Sequence, residues 1–291
     1  MLLATALIAT SHPVVALVAG RLDSAALTAV RFLLATACFL PVVAIGYGRA
    51  ALPTPGSVLR HAVLSAPLVA FFVAMFEALR TASAVNTAAL SVLVPSFAAL
   101  FSIPLLREQP SARRAGLLLL GTIGSGWVVF RGDLDQALSL ELHRGEALFL
   151  AGTASLGLYA VLVRRLGRGR PPAVTTFWTL ACGSVWLLLW LVLAEGGALS
   201  SSAWRNLELR DFLALAYLAA GATMATFYLT QRATQILGPT RAMAYNFLTP
   251  ALVAGFAAAT GSEALAWIVA PGVLLTLLAL SGLLRMQDRA T

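Results

Sequence analysis

His12 stands about ten residues from either end of an apolar stretch, a depth at which an ionisable side chain is either satisfied by a neighbour or put to use. Two readings stay open: a neutral imidazole bonded to a backbone carbonyl, or a group facing a substrate path. Counting 147 residues onward from His12 reaches Tyr159, a second polar aromatic group inside an apolar stretch. The two can bracket a cavity between related halves, and a tyrosine bonded to any neighbour is the competing reading. Arg31 lies about two turns inside the second apolar stretch. Its stem can carry the charge out to the interface; held inside instead, its paired donors would anchor a carboxylate.

Around these groups the sequence supplies aromatic and thioether side chains: Phe71, Phe72, Met75 and Phe76 close together, Trp178, then Met224, Phe227 and Tyr228, and Tyr245 beside Asn246. Rings with a few fixed polar groups are what a site for a planar, partly apolar ligand requires. Any one of them can equally be lipid-facing or packing filler. The candidate substrate-binding set is His12, Arg31, Phe72, Met75, Phe76, Ser91, Tyr159, Trp178, Tyr228, Tyr245 and Asn246.

What is missing narrows the chemistry further. Every Asp and Glu falls near the end of an apolar stretch or between two of them, so no carboxylate is placed to exchange protons for cationic drugs at mid-depth. No cluster of basic residues at mid-depth is present to neutralise a phosphate, which argues against sugar-phosphate and nucleotide-sugar cargo. His12, His61 and His143 are scattered, and no His-Glu-x-x-His, Gly-x-Ser-x-Gly or Cys/His metal pattern occurs, so neither an enzyme nor a metal site is expected. Cys38 and Cys182 lie in apolar runs and read as small packing residues. Glu77 and Arg80, three apart, read as a local pair.

The elements that must hold these groups follow from composition. With 59% hydrophobic and 11% charged residues and a mean hydropathy of +0.87, the chain is an integral membrane protein. Its net charge of +8 is carried by arginine alone and falls in short gaps between apolar runs, which excludes a nucleic-acid-binding face. Taking about twenty apolar residues per crossing gives ten segments: 2–20, 25–46, 59–79, 84–106, 113–130, 145–163, 173–194, 210–231, 239–260 and 265–284. Met1 leads straight into apolar sequence without a basic leader, so the first segment reads as a spanning helix rather than a cleaved signal. With the termini on one side, that side collects thirteen arginines, among them Arg60, Arg107, Arg113, Arg164 and Arg168. The other collects six, Arg21, Arg80, Arg131, Arg144, Arg205 and Arg210, so both termini are expected in the cytoplasm.

The chain also writes one element twice. Adding 155 maps Pro95 onto Pro250, Glu108 onto Glu263 and Ser91 onto Asn246 without a gap. A proline inside a helix cannot donate to the carbonyl four residues back, so each copy predicts a kinked helix whose freed carbonyl belongs to Ser91 or Asn246. Pro95, Pro250, Glu108 and Glu263 are therefore the candidate hinge and gating residues. Five crossings per copy is an odd number, so the second copy enters from the opposite face. This predicts an all-α integral membrane protein of ten transmembrane helices as two inverted five-helix repeats, residues 1–144 and 145–291. Gly121, Gly124 and Gly126 suit close helix packing in the first copy. The second has Pro271 and Ser281 where the first has Gly116 and Gly126, so close packing of its last helix is not expected from the repeat.

The run from Ala78 to Ala84, followed by Pro95, Glu108, Gly116 and Gly121, together with Arg31-Phe32, resembles the drug/metabolite transporter superfamily in its EamA-type, ten-helix form. The likeness covers essentially the whole chain, and the proline-to-glutamate spacing met twice is what makes it specific. It implies export of small molecules through a central cavity by alternating access. Within the superfamily the chain looks most like exporters of aromatic amino acids, with a multidrug or lipophilic-cation exporter as the alternative. With no central carboxylate, a facilitative mechanism is expected. The partners expected are a small-molecule substrate and the lipid bilayer of a bacterial inner membrane, with no cofactor, no metal and no nucleic acid, and the chain is expected to act as a monomer.

Overall fold

The structure is a computed structural model, and it describes residues 1–19, 23–109, 111–194, 207–260 and 267–286. Among them the helices line up as ten rods in chain order, with no strand. The first three are α1 (Leu2–Ala19), α2 (Ser24–Tyr47) and α3 (Pro55–Leu79). The fourth is divided into α4 (Ala84–Ser91) and α5 (Val94–Leu106), and α6 (Ala112–Val129) is the fifth. A short helix, α7 (Leu134–Leu138), precedes α8 (Arg144–Leu166) and α9 (Pro172–Ala194). The eighth rod joins α10 (Leu209–Ala219) to α11 (Thr226–Leu237) through a wide π turn, Ala220–Ala225. The ninth joins α12 (Pro239–Ala244) to α13 (Thr249–Ala259) through a tight 3-10 turn, Tyr245–Leu248, and α14 (Ala270–Arg285) is the last. Eight rods are long and apolar enough to cross a bilayer, and α1 contributes the shorter apolar stretch Leu2–Ser11.

Local chemistry sets the rod ends. Asp23 and Ser111 accept backbone N–H groups at the starts of α2 and α6. Thr54 and Ser57 form a reciprocal capping box, with Pro55 in the first turn, and this starts α3 four residues earlier than hydropathy places it. Gly238, at φ +84, ends α11 and lets Pro239 open α12 without a loop. Large apolar side chains such as Ile45 and Leu193 are more than four-fifths exposed, which in a bilayer is contact with lipid.

Both duplicated prolines stand in the first turn of a new helix rather than in the interior of a kinked one. There the missing N–H is one that a helix start leaves without an intrahelical partner. The turn comes before each proline, at Val92–Leu93 in the fourth rod and at Tyr245–Leu248 in the ninth. The carbonyl of Asn246 accordingly accepts the N–H of Thr249, three residues on.

α14 packs closely against α6 through glycines one position beyond those the repeat aligns. A Cβ on Gly272 would come within 2.6 Å of the Gly124 carbonyl oxygen, and one on Gly124 within 2.8 Å of the Gly272 oxygen. Gly282 similarly receives Leu117. The last helix therefore keeps its close approach by a shift of one residue.

Candidate functional site

Phe32 on α2 is the hub of the buried centre. Only 1% exposed, it meets Phe72 of α3 edge-on at 5.5 Å and Phe227 of α11 at 5.6 Å, with Phe76 next in line 6.3 Å from Phe72. Gly183 on α9 makes room for it, since a Cβ there would come within 3.0 Å of the Phe32 ring. Leu64, Leu68, Tyr159, Leu180 and Leu187 complete the buried cluster, and Met224 packs against it.

One pole of this cluster is cationic. Arg31, partly buried, donates from Nη2 to Thr223 Oγ1 at 3.1 Å, and the Thr223 hydroxyl donates in turn to the Leu218 carbonyl five residues back at 2.8 Å. The π turn puts Thr223 on the inner face of its rod, as such bulges often do at functional sites. Arg31 Nε is buried without a partner, and among the described residues no carboxylate lies within ion-pair distance of the guanidinium. A charge held this way calls for an anion.

The other pole is an amide. Gln231 Nε2 donates to Tyr159 Oη at 2.9 Å and to Thr179 Oγ1 at 3.2 Å, and all three residues are fully buried. The Thr179 hydroxyl gives its one proton to the Thr175 carbonyl at 2.7 Å, so it must accept from Gln231, which fixes the orientation of the amide. Gln231 Oε1 is left buried without a donor.

The structure thus brings Phe72, Phe76 and Tyr159 into one cluster, with Arg31 next to Phe32 on α2 where α2 meets the π turn. Trp178 and Tyr228 belong to an adjoining cluster that shares Met224 with it; Trp178 Nε1 donates to the Ala51 carbonyl at 2.9 Å, and Tyr228 meets Phe39 edge-on at 6.0 Å. Met75 packs instead with Phe71, Leu90 and Phe149. Ser91 Oγ donates to the Ala88 carbonyl within its own helix. Tyr245 borders the cluster around Phe247 and Leu248, and Asn246 follows it, half-buried. Glu108 pairs with Arg114, and Glu77 stands 3.7 Å from Arg80 at the surface. Pro95 is buried in α5 and Pro250 half-buried in α13. Glu263 and the side chain of His12 lie outside the described residues.

Thr179, Thr223 and Gln231 escape sequence reasoning. Hydropathy ends the eighth segment at residue 231 and so takes Gln231 for an end residue, whereas α11 runs on to Leu237. The threonines look like ordinary helix residues bonding back onto their own turns. A further signal lies at the end of the bundle richest in arginine, where α5, α11 and α12 meet. Ser102 Oγ, Thr234 Oγ1, Gln235 Nε2 and Thr240 Oγ1 are buried there without partners.

Comparison with known proteins agrees with this architecture. The chain superposes on a crystal structure of a protein with 20% sequence identity at a TM-score of 0.78, covering 99% of this chain and 96% of that one, which shows a shared fold. It is 24% identical over 218 residues to the uncharacterized transporter YyaM of Bacillus subtilis (strain 168), spanning 74% of this chain and 70% of that protein. The family match falls in two stretches, residues 1–130 and 143–285, one on each side of the α7 loop. The helices and this match together make the chain a multi-pass membrane protein of the EamA-like transporter family.

Proposed function

We propose that this transporter exports amino acids, preferring aromatic ones, across a bacterial inner membrane. The observation that carries the reading is Arg31, held inside the bundle by Thr223 at the edge of an aromatic bed, with no carboxylate beside it among the described residues. A substrate carboxylate supplies the missing anion by paired hydrogen bonds, and the rings of Phe72, Phe76 and Phe227 take the apolar body. A lipophilic cation gains nothing from a buried guanidinium.

Ten crossings in two inverted halves, residues 1–144 and 145–291, supply alternating access, with both termini cytoplasmic. The family match in two stretches supports the duplication. The turns before Pro95 and Pro250 are the points at which the halves flex. The unpaired Ser102, Thr234, Gln235 and Thr240 support opening at the arginine-rich end, because each buried polar atom without a partner costs about 1–3 kcal/mol that water would recover. With no described acid at the centre, transport runs down the substrate gradient without proton coupling.

Uptake of labelled phenylalanine, tryptophan, threonine and a quaternary ammonium dye into proteoliposomes tests the reading. Phenylalanine and tryptophan should enter at rates unchanged when the pH gradient is collapsed, and Arg31→Gln should cut them at least tenfold. Entry of the dye with no amino acid would overturn it.

A further inference from the structure

Resting on the exporter reading, we infer that the site recognises its substrate at two separated points, a carboxylate at Arg31 and a phenol hydroxyl at Gln231, and so favours tyrosine and related 4-hydroxyphenyl carboxylates. Two observations carry this independently of each other. Arg31 presents a buried, unpartnered Nε beside its bond to Thr223. Gln231, fully buried, presents an Oε1 with no donor while both its neighbours are already bonded to its Nε2. Thr179 fixes the amide by spending its own proton on Thr175, so the free atom is an acceptor and the missing group is a donor.

The spacing along the rod that carries Thr223 and Gln231 is compatible with such a molecule. Thr223 and Gln231 are eight residues apart on one rod, about 12 Å along its axis. In the skeleton of tyrosine the carboxylate carbon and the phenol oxygen lie roughly 8 Å apart, and an inclined hydrogen bond of about 3 Å at each end covers the rest. Phe227 lies between the poles on the same rod and meets Phe32 edge-on, and Phe32 meets Phe72 edge-on in turn, so a substrate ring between the poles would lie against aromatic side chains. Phenylalanine would meet the same rings and leave Gln231 Oε1 unpaired. Tyrosine pairs it, and tyramine, which lacks the carboxylate, leaves Arg31 without its anion.

Equilibrium binding to the purified protein in lipid nanodiscs separates these cases, with labelled tyrosine and phenylalanine as probes and tyramine as competitor. Tyrosine should bind about three- to tenfold more tightly than phenylalanine, and tyramine should not displace it. In Gln231→Leu the tyrosine-to-phenylalanine ratio should fall toward one. This ratio does not depend on how much of the variant folds, and the wild-type ratio needs no variant. Equal affinity for the two amino acids, with both transported, would overturn the phenol pole and leave the exporter reading standing. Displacement by tyramine as effective as by tyrosine itself would overturn the carboxylate pole. If neither amino acid binds or moves, the exporter reading fails and takes the inference with it.

Discussion

The fourth and ninth rods are written alike and built differently. Each carries a turn just before its proline, yet the first is seated by a glycine that lets backbones touch, and the second by a glycine that receives a ring together with a hydrogen bond. On the fourth rod, Gly157 of α8 lets the backbone of α5 approach so closely that a Cβ would lie 2.7 Å from Phe97 Cβ and 2.9 Å from the Ala98 nitrogen. On the ninth, Ser125 of α6 donates to the Phe247 carbonyl at 2.8 Å, and the Phe247 ring fills the space that Gly121 leaves. Duplication therefore preserved the break and not the means of holding it. The break is a local backbone turn that both copies keep, whereas its seat depends on which rods lie across it.

The strongest way to break this comparison is Gly157→Leu. The added side chain meets backbone atoms, which cannot turn aside, so about 3 kcal/mol of stability should be lost, read as a lower thermal midpoint in detergent. An unchanged midpoint would mean that α8 does not hold α5. Gly121→Val presses on the Phe247 ring, which can shift, and should cost less, about 1–2 kcal/mol by the same measurement. A loss as large as that of Gly157→Leu would show the two seats to be equally rigid.

Removing the hydrogen bond sharpens the contrast. Ser125→Ala leaves the Phe247 carbonyl buried without its donor and should cost about 1 kcal/mol. A stability equal to that of the unaltered protein would show that the turn holds itself. The smallest effects belong to the prolines. Because Pro95 and Pro250 stand in first turns, Pro95→Ala and Pro250→Ala should each change stability by less than about 1 kcal/mol. A gain or loss of several kcal/mol in either would show that the proline itself, and not the turn before it, sets the local geometry.

Much of this architecture is determined by the sequence alone. Hydropathy marks most of the apolar segments to within a few residues, because a bilayer demands about twenty apolar residues per crossing regardless of what packs beside them. The repeat offset of 155 locates both breaks, since each turn lies just before its proline, a residue suited to a helix's first turn. Arg31 and Tyr159 stand out because polar groups are rare at such depth.

Which side chains meet was decided by the tertiary structure. Helix rotation sends Phe72 and Phe76 toward Phe32 and Phe71 and Met75 toward Phe149, while the Phe71 and Phe72 rings still meet edge-on at 5.3 Å. It also turns Trp178 away to the Ala51 carbonyl. Thr223 becomes a partner of Arg31 only because the π turn carries it inward, and Gln231 becomes central only because α11 continues past the apolar segment. The last helix regained its close approach through Gly272, one position from where the repeat would place a glycine. The physical reason is common to all of these. Hydropathy fixes how long a rod is and roughly where it ends, while its rotation about its own axis is set by contacts with rods far away in the chain.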